Sequence, residues 1–502
     1  MSSALQFLKN FGFHPLSLPF ILFLIFLYKW LNKKPAKTRK LPPSPRKLPI
    51  LGNLHQLGQF LNRSLYSLSK QYGEVMLIYI GNTPSIVISS ASAAREVMKT
   101  HDVIFSNRPR SRIVNKIIYD GKDLAFSPYG EFWRQIRSIC VLQLLSTKKV
   151  QSFRKVREEE VDLVVQMIKR SEHCPVNLSE TFVMFSTNIL CRTAFGKKYV
   201  GEVGTNFKQL LKDYVEVIGK FSMGDIIPWL GWIDRLSGLE RRVDKVAREF
   251  DDFLQHVVQE HLDRKTEKEE NDKDFVDILL DAQKENPAAL QMDSIKAIVL
   301  DMFVAGSDTT YTVLEWAMTE LLRHPQVMKQ LQDEVRGVVR EKTIVSEDDL
   351  ETMKYLKAVI KEVLRLHPPL PLLLFRQTSQ NVKINGYDIA ARTHVIINAW
   401  AIQRDPVYWE NPEEFRPERF LNCSVDFKGQ DFQLIPFGAG RRGCPGITFF
   451  SVNAELVLAN LVHLFDWKSA NEAEDETSDV PENPGIVINR RDPLLVIATL
   501  HS

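Results

Sequence analysis

The densest group of residues able to do chemistry surrounds one cysteine near the carboxyl end. The chain reads Phe437-Gly-Ala-Gly-Arg-Arg-Gly-Cys444-Pro-Gly446, and an apolar helical pattern follows over residues 447–465. Glycines let backbone N–H groups turn toward the sulfur, and a helix N-terminus favours a thiolate. A single thiolate suits haem iron, so we predict Cys444 as a metal ligand. Arg442 could reach a haem propionate, while Phe437 could cover the sulfur and exclude water.

Two other interpretations of this segment compete with the metal-ligand hypothesis. Gly438, Gly440 and Gly443 satisfy the G-x-G-x-x-G pattern of a dinucleotide-binding turn, which needs a strand before it and a helix opening within it. Here Pro436 interrupts the approach, and Cys-Pro-Gly separates the glycines from the helix, which argues against a nucleotide site. A glycine-rich surface turn with a buried cysteine would not explain all of these residues together.

A second group lies inside a long helical pattern over residues 293–323. It reads Ala305-Gly-Ser-Asp308-Thr309-Thr310. Threonine hydroxyls can bond to earlier carbonyls and glycine brings the backbone close to a ligand, so the segment could open a groove for oxygen and water. An acid beside a hydroxyl can relay protons, which makes Asp308 and Thr309 candidate catalytic residues. The alternative is a glycine that only packs helices together.

Two further residue pairs become candidates for a functional role because the cysteine and Asp-Thr motifs are present in the same chain. Glu362 and Arg365 are three residues apart on a predicted helix and share a face, and Arg419 of the downstream Pro-Glu-Arg-Phe segment could join them in a buried network. Trp133 and Arg137, four apart on another predicted helix, could contact a propionate. Taken alone, the pairs describe a surface ion pair and a core tryptophan beside a surface arginine.

The elements that must position these residues are mostly helices. Apolar residues recur at three- and four-residue spacing, and the segments with this spacing are residues 156–168, 244–262, 293–323, 325–340 and 355–366. Residues 74–80 and 83–89, joined by Gly81-Asn82, predict a β-hairpin, in which Pro84 indicates an edge strand. We therefore predict a mainly α protein with small β-sheets.

The composition is that of an ordinary folded protein. The 502 residues are 44% hydrophobic and 25% charged, which excludes a disordered, collagen-like or disulfide-stapled chain. The five scattered cysteines form no Cys-x-x-Cys pair and indicate a reducing compartment. The excess of basic over acidic residues belongs to residues 1–73, which contain no acid, and the mildly acidic remainder predicts no nucleic-acid partner.

The amino terminus carries a segment able to cross a membrane. No Asp, Glu, Lys or Arg stands between Lys9 and Lys29, and a basic cluster follows, so the positive-inside rule leaves the rest of the chain on the cytoplasmic side. A cleaved signal peptide would need small residues after the apolar run, and a transit peptide would be amphipathic and Arg-rich. We expect an anchor in residues 1–30 (transmembrane helix at about 11–30), a basic, proline-rich hinge at 31–53, and one large domain at 54–502.

These motifs together resemble those of the cytochrome P450 family. Residues 437–446 resemble its haem-binding signature, and the oxygen-activating helix motif, the Glu-x-x-Arg pair and the Pro-Glu-Arg-Phe motif stand in the family's order and spacing. The resemblance covers residues 31–502. Residues 133–137 and 399–406 resemble plant microsomal members of the specialised-metabolism group.

The resemblance implies a cytochrome P450 fold behind a single transmembrane helix and a haem-thiolate monooxygenase activity. It implies haem b with Cys444 as axial ligand, Asp308 and Thr309 as proton donors, and a structural triad of Glu362, Arg365 and Arg419. It also implies a set of side chains that hold the haem propionates: Trp133, Arg137, Arg376 and Arg442.

The same resemblance implies partners and a location. Electrons would come from NADPH through a membrane-bound NADPH-cytochrome P450 reductase, with cytochrome b5 as an optional second donor. Arg134 and Arg441 are candidate docking charges, although solvated surface arginines are the commoner case. The protein would sit in the endoplasmic reticulum membrane with its catalytic domain facing the cytoplasm.

By analogy with the family, the substrate pocket lies above the haem. Its expected lining residues are Ile118, Asp301, Val304, Ala305, Leu372, Phe375 and Ile486. Most are apolar, which favours a small hydrophobic substrate such as a terpenoid or a phenolic or coumarin-like compound. The chain departs from the family by having Phe375-Arg376-Gln377 where Pro-Arg-Glu is usual and Ile389-Ala-Ala391 where Ile-Pro-Ala is usual. We expect Phe375 to narrow or reshape the substrate side of the haem.

Three function hypotheses follow. The first is an oxygen-inserting monooxygenase, favoured by the intact Asp308 and Thr309. The second is a haem-thiolate isomerase or dehydratase that works without a reductase, for which loss of the acid and hydroxyl pair would be the expected sign. The third is a non-catalytic, membrane-tethered haem protein, for which the sequence shows no additional interaction module.

Overall fold

The helical periodicity of the sequence is realised in the computed structural model. This structure describes residues 39–171, 174–199, 207–264, 268–288, 290–340, 342–470 and 479–501. Each of the five periodic segments lies in a helix, and the largest difference is a start at Leu239 rather than at residue 244. The predicted transmembrane helix at about 11–30 lies outside the described residues.

The helices are numbered in chain order. They are α1 Leu61–Tyr72, α2 Ala91–Arg95, α3 Arg112–Ile117, α4 Glu131–Ile139, α5 Thr147–Ser152, α6 Arg154–Arg170, α7 Leu178–Phe195, α8 Phe207–Ile218, α9 Met223–Ile226, α10 Trp232–Leu236, α11 Leu239–Leu262, α12 Phe275–Glu285, α13 Met292–Arg323, α14 Pro325–Val339, α15 Lys354–Leu366, α16 Ala399–Ile402 and α17 Ile447–Leu464.

The strands form three small sheets. They are β1 Val75–Ile80, β2 Thr83–Ile88, β3 Pro175–Asn177, β4 Arg376–Gln377, β5 Val382–Ile384, β6 Tyr387–Ile389, β7 His394–Ile397, β8 Phe465–Ser469 and β9 Leu495–Leu500. The first sheet has the order β1-β2-β7-β4, with β2 and β7 parallel; the others are β3-β9-β8 and the hairpin β5-β6. The protein is therefore mainly helical with small sheets.

The predicted hairpin is present, but the prediction that it ends in an edge strand at Pro84 is wrong. Strand β2 lies between β1 and β7 in the sheet. Pro84 sits opposite Tyr79 of β1, and the ladder to β7 begins only at Ser85. Because the proline comes before that ladder, its missing N–H removes no hydrogen bond from it.

Helix α13 runs through the core and carries the Ala-Gly-Ser-Asp-Thr-Thr segment. Most of its 32 residues have buried side chains, and it packs most extensively against α7. Gly306 permits this approach, since a Cβ there would meet both methyl carbons of Leu190 at 3.0 Å. Gly306 is therefore a packing glycine, as the alternative interpretation held, and the same residue also lines an internal cavity.

Helix α17 follows the cysteine and closes the other side of the core. In the described part of the chain it is the one helix long and apolar enough to cross a membrane, but two thirds of that stretch, 67%, is buried inside the protein. It packs against α13, α14 and α15, which identifies it as a core helix.

The proline-rich segment before α1 lies against the first sheet. The Leu77 N–H donates to the Pro43 carbonyl at 2.8 Å, and Pro42 and Pro45 are buried. The buried Asn53 side chain accepts the Tyr79 N–H at 2.8 Å. The described end of the predicted hinge thus packs on the folded body.

The pair predicted on α15 is the centre of a buried ionic network. Arg365 donates to both oxygens of Glu362, at 2.7 and 2.8 Å, and neither side chain is exposed to solvent. Arg419, in the short 3-10 turn Pro417–Phe420, donates to the same carboxylate at 3.1 Å. The two arginines also bind the carbonyls of Pro412 and Asn411. The network ties the loop over residues 403–420 to α15, close to the cysteine segment.

Glu362→Ala should destabilise the protein strongly, because it leaves two buried guanidinium groups without their shared anion. Loss of one partner of a buried pair costs about 3–5 kcal/mol. The matched control is Glu158→Ala, which removes an exposed i,i+4 partner of Arg154 and should change stability by no more than about 0.5 kcal/mol. The measurement is the urea midpoint by circular dichroism, and equal midpoints for the two variants would contradict the role given to the network.

Candidate haem site

An internal cavity lies between α13 and the segment that carries the cysteine. Ala305, Gly306 and Thr309 line it from α13, and Phe437 and Cys444 line it from the opposite side. Further walls come from α4 and from the loop that precedes β4. The cavity therefore brings together two motifs that lie more than 120 residues apart in the sequence.

The cysteine segment forms a tight turn that only glycine permits at two positions. Gly438 and Gly440 have positive φ angles of 67° and 69°. A Cβ on Gly440 would lie 2.1 Å from the Met98 carbonyl oxygen, so the backbone passes directly over another chain segment. The Cys444 N–H donates to the Phe437 carbonyl at 2.9 Å, which closes the turn and fixes the start of α17 behind it.

The Cys444 sulfur faces the cavity. Protein surrounds the residue, and the accessible face of its side chain opens into the cavity it lines. The Gly446 N–H donates to the sulfur at 3.3 Å. Burial raises the pKa of the thiol, while this N–H and the nearby Arg137 oppose the rise. Coordination to a metal ion deprotonates a thiol outright, so the environment suits a metal-bound thiolate better than a free one.

Phe437 belongs to an aromatic cluster beside the cysteine. Its ring centroid lies 5.4 Å from that of Phe427 and 5.3 Å from that of Phe450. These rings present apolar surface on that side of the turn, and a low-polarity surrounding is one of the means by which a protein tunes a metal site.

Three buried arginines also line the cavity. Arg108, Arg376 and Arg442 are 6%, 2% and 9% exposed. Burial lowers the pKa of Arg442 to about 9, that of Arg376 to about 10 and that of Arg108 well below its usual value, and repulsion from neighbouring arginines adds to the fall for Arg442 and Arg108. In the described part of the chain, Asp102 is the one carboxylate in ion-pair contact with the three, 3.5 Å from Arg376.

A bound haem would balance this excess of buried positive charge. Most partners of the three guanidinium groups are backbone carbonyls, such as those of Ser106, Leu374 and Ala439, which carry no net charge. Buried charges are costly unless they are paired. The two propionates of a haem would supply the missing anions in the same cavity into which the thiol faces, so the residues present fit this cofactor.

The two predicted contacts on α4 differ in geometry. The Trp133 indole N–H donates to the Leu124 carbonyl at 3.0 Å and is engaged there, while its ring lies 4.2 Å from the Arg442 guanidinium. Trp133 therefore positions Arg442. Arg137 lines the cavity, has no hydrogen-bond partner within the described part of the chain that would hold it elsewhere, and has its pKa lowered by burial.

On α13, Thr309 lines the cavity and Asp308 lies beside it on the next face of the helix. The Thr309 hydroxyl donates to the Ala305 carbonyl at 2.6 Å. Burial raises the pKa of Asp308 to about 6, an effect that the Tyr311 hydroxyl partly opposes, and its Oδ2 oxygen has no hydrogen-bond partner. An acid that exchanges its proton near neutral pH, next to a hydroxyl at the cavity wall, is suited to proton delivery.

The seven predicted pocket residues fall into three groups. Asp301 and Ala305 line the haem cavity, whereas Leu372, Phe375 and Ile486 line a second, outer cavity. Ile118 and Val304 pack in the hydrophobic core and line neither cavity. Leu373 and Leu374 contribute to both cavities and form the wall between them, with Leu373 in a left-handed backbone conformation (φ 52°).

Asp301 binds backbone N–H groups, a role that the sequence did not predict. One of its carboxylate oxygens accepts the N–H groups of Leu124 and Ala125, at 2.8 and 3.0 Å. Burial and the adjacent Asp123 raise its pKa well above the usual value. The carboxyl pair therefore holds the loop before α4 against α13 and presents little charge to a substrate.

Arg108 and Asp123 are the site residues that sequence reasoning missed. Arg108 joins three loops, since it donates to the carbonyls of Ala125, Leu374 and Phe375 at 2.7 to 2.8 Å. Both residues lie in irregular segments, where no periodicity marks a side chain as buried. The only available signal was that each is a charged residue next to an apolar one.

Comparison with known proteins agrees with this geometry. A family model for cytochrome P450 matches residues 42–496. Cytochrome P450 736A117 of Prunus mume is 50% identical, over 100% of this chain and 98% of that protein. Norfluorocurarine oxidase of a Strychnos species is 49% identical, over 95% of this chain and 96% of that protein. A zebra fish cytochrome P450 solved with abiraterone superimposes with a TM-score of 0.75 at 26% identity, covering 88% of this chain and 99% of that one.

A mainly helical fold with a cavity between a cysteine turn and a threonine-bearing helix defines a haem-thiolate protein. The chain belongs to the cytochrome P450 family, and it is a monooxygenase of the kind found in plants. Bound haem would supply the activation of oxygen. The chain would contribute a sulfur ligand, cations for the propionates, and a proton path at Thr309.

Cys444→Ala should abolish the red-shifted absorption band of the reduced, carbon-monoxide-bound protein, since that band reports a thiolate ligand. The matched control is Cys423→Ala, which removes an exposed cysteine and should leave the band intact. A thiolate band that persists in Cys444→Ala would show that another residue binds the iron.

Proposed function

We propose that this enzyme inserts one atom of O2 into a small hydrophobic plant metabolite, of the terpenoid or of the phenolic or coumarin-like class. The observation that carries the proposal is an apolar cavity with Thr309 at its wall and Asp308 next to it on the adjoining face of α13. One relative, 49% identical to this chain, is named norfluorocurarine oxidase, and this name supports an oxidase activity.

The cofactor of the proposal is haem b, with electrons from NADPH. The residues assigned to it are Cys444 as axial ligand, Arg376, Arg442 and Arg137 toward the propionates, and Trp133 and Phe437 as the groups that pack around them. Support comes from the buried arginines and the thiol that face one cavity. Glu362, Arg365 and Arg419 take the part of a structural triad, on the evidence of their shared buried ion pairs.

The proposed setting is the endoplasmic reticulum membrane. The chain would be anchored by residues 1–30, joined through the hinge at 31–53 to a catalytic domain at 54–502 that faces the cytoplasm. Its redox partner would be NADPH-cytochrome P450 reductase, with cytochrome b5 as an optional second donor. Asp102 lies 3.6 Å from the Arg441 guanidinium, but the Arg441 side chain is half exposed. Arg441 therefore remains accessible to an acidic partner.

The outer cavity supports a role for Phe375 in substrate selection. Phe375 and Leu372 line this cavity together with Ile226 and Ile486, and the wall of Leu373 and Leu374 separates it from the haem cavity. A substrate would pass these side chains before it reaches Thr309. The replacement of the family's usual proline by a larger aromatic residue at this point narrows the approach.

The experiment that tests the function is a panel of hydrophobic metabolites incubated with membranes that contain the enzyme, its reductase and NADPH. A product heavier by one oxygen atom is the expected result. Products of unchanged mass formed without reductase would instead support the isomerase hypothesis, and a haem protein that binds but never converts any compound would favour the non-catalytic one.

Thr309→Ala should lower product formation per NADPH by about tenfold or more, because the hydroxyl at the cavity wall no longer passes protons. NADPH oxidation should continue with release of hydrogen peroxide. The control is Thr193→Ala on α7, whose hydroxyl makes the same bond to the carbonyl four residues earlier but away from the cavity. An unchanged product yield in Thr309→Ala would refute the relay.

A further inference from the structure

A stripe of polar side chains runs along one face of α13 away from the cavity. Asp308, Tyr311, Glu315 and Thr319 are spaced three or four residues apart, so they stack on one side of the helix. From Asp308 to Glu315 the stripe spans two helical turns, or about 10 Å at 1.5 Å per residue. The helix is otherwise largely apolar and buried, so polar side chains on one of its faces are unusual in these surroundings.

The middle of the stripe is held by a hydrogen-bond chain from the loop before β9. The Asn489 side-chain N–H donates to the Tyr311 hydroxyl oxygen at 2.6 Å, and the Asn483 side chain donates to Asn489 at 3.1 Å. Because the amide donates to the phenol oxygen, the phenol hydrogen is free to be donated to Asp308. Burial and the neighbouring carboxyl groups raise the pKa of Tyr311, so it stays an O–H that can accept one proton while it donates another.

The far end of the stripe approaches the surface. Ser179 donates its hydroxyl hydrogen to Glu315, and Arg490 donates to the Thr319 hydroxyl at 3.0 Å. Glu180, which follows Ser179 on α7, and Asp492, two residues after Arg490, are exposed to solvent. A proton that reaches Glu315 from this end is two helical turns from Asp308.

Two carboxylate oxygens of the stripe have no hydrogen-bond partner among the described residues. They are Oδ2 of Asp308 and Oε2 of Glu315, and the Glu315 residue is only 3% exposed. Buried polar atoms almost always have a partner, in protein or in ordered water. Both orphan atoms lie on the same helix face, on either side of Tyr311, which is where a short chain of water molecules would connect them.

We propose that Glu315 and Tyr311 form an inner proton route that carries protons from the Ser179 and Arg490 end of α13 to Asp308. The inference rests on the proposed role of Asp308 and Thr309 in proton delivery. The monooxygenase reaction consumes protons from solvent because the second oxygen atom leaves as water. In each transfer, one O–H group gives its proton to the next oxygen and takes a proton from the preceding group. Every member of the route therefore returns to its initial protonation state. Glu315 and Tyr311 act through Asp308 and are positioning residues for the reaction.

The test compares Glu315→Gln and Tyr311→Phe with the wild-type enzyme under reductase turnover. Product formed per NADPH should fall by roughly tenfold in each, which is less than the loss of a directly acting acid because water can replace one member of the route. The solvent deuterium isotope effect on turnover should increase. The carbon-monoxide spectrum and the substrate affinity should remain as in the wild type, since neither residue lines either cavity.

Matched controls separate this role from general damage to the core. Glu320→Gln makes the same change in a buried residue of α13 whose partners are His367, His324 and Arg323, off the route. Tyr214→Phe removes another buried phenol, on α8. Both should keep wild-type product yield and isotope effect.

A spectroscopic readout does not depend on turnover. In an infrared titration of the resting enzyme, the Asp308 carboxyl should change protonation near pH 6 and should do so at higher pH in Tyr311→Phe, because Tyr311 lowers this pKa. The groups that face Asp308 and can influence it are Tyr311 and Glu315. An unshifted titration in Tyr311→Phe would overturn the contact on which the route depends.

The outcomes distinguish the route from the function beneath it. Coupling here means product formed per NADPH. If Glu315→Gln keeps the wild-type coupling and isotope effect while Asp308→Asn loses coupling, the route is overturned and Asp308 remains the proton donor. Wild-type coupling in Asp308→Asn would overturn the role of Asp308 and, with it, the route. Loss of coupling in Glu320→Gln equal to that in Glu315→Gln would also overturn the route, since any buried carboxyl of α13 would then have the same effect.

Discussion

Three buried arginines face one cavity, and among the described residues only the Asp102 carboxylate lies within ion-pair distance of them, so this unbalanced charge shapes the centre of the molecule. Arg108, Arg376 and Arg442 come from three separate chain segments, and their hydrogen bonds to backbone carbonyls hold those segments together. Carbonyl dipoles orient the guanidinium groups without neutralising them, so an anion is needed for the arrangement to be stable. The haem propionates would meet that need, which couples the folding of the loops to binding of the cofactor.

The cysteine turn depends on the same arrangement. Arg376 donates to the Ala439 carbonyl inside the turn, and Asp102 accepts the Arg441 N–H at 2.9 Å. The sulfur ligand and the cations for the propionates are thus positioned by shared contacts. The buried Glu362 network secures the loop over residues 403–420 from the other side. A rigid turn is what a metal ligand requires, because its position must not depend on the metal alone.

Two faces of helix α13 have different environments. One face meets the cavity through Ala305 and Thr309, and another carries the polar stripe that begins at Asp308. A helix permits this because neighbouring residues point about 100° apart. Proton supply and substrate binding can therefore use adjacent residues without sharing a surface. The apolar wall of Leu373 and Leu374 provides the corresponding separation on the substrate side.

The sequence by itself determined the residues whose meaning is local. Cys444 within its glycines, Asp308 beside Thr309, and Glu362 three residues before Arg365 are recognisable because each motif fits within one turn or one helix. Helical periodicity located α13 to within one residue at its start. The packing role of Gly306 was also foreseeable, although only as an alternative.

The tertiary structure alone decided the contacts between distant segments. Asp301 binds backbone groups 177 and 176 residues away, and Tyr311 and Asn489 are 178 residues apart. Arg108 and Asp123 lie in loops without a repeating pattern, and the division of the predicted pocket into two cavities follows from where Leu373 and Leu374 pack. Such contacts leave no local signal, because the chain meets itself there only after the helices have packed, and side-chain burial in a loop is fixed by what packs over it.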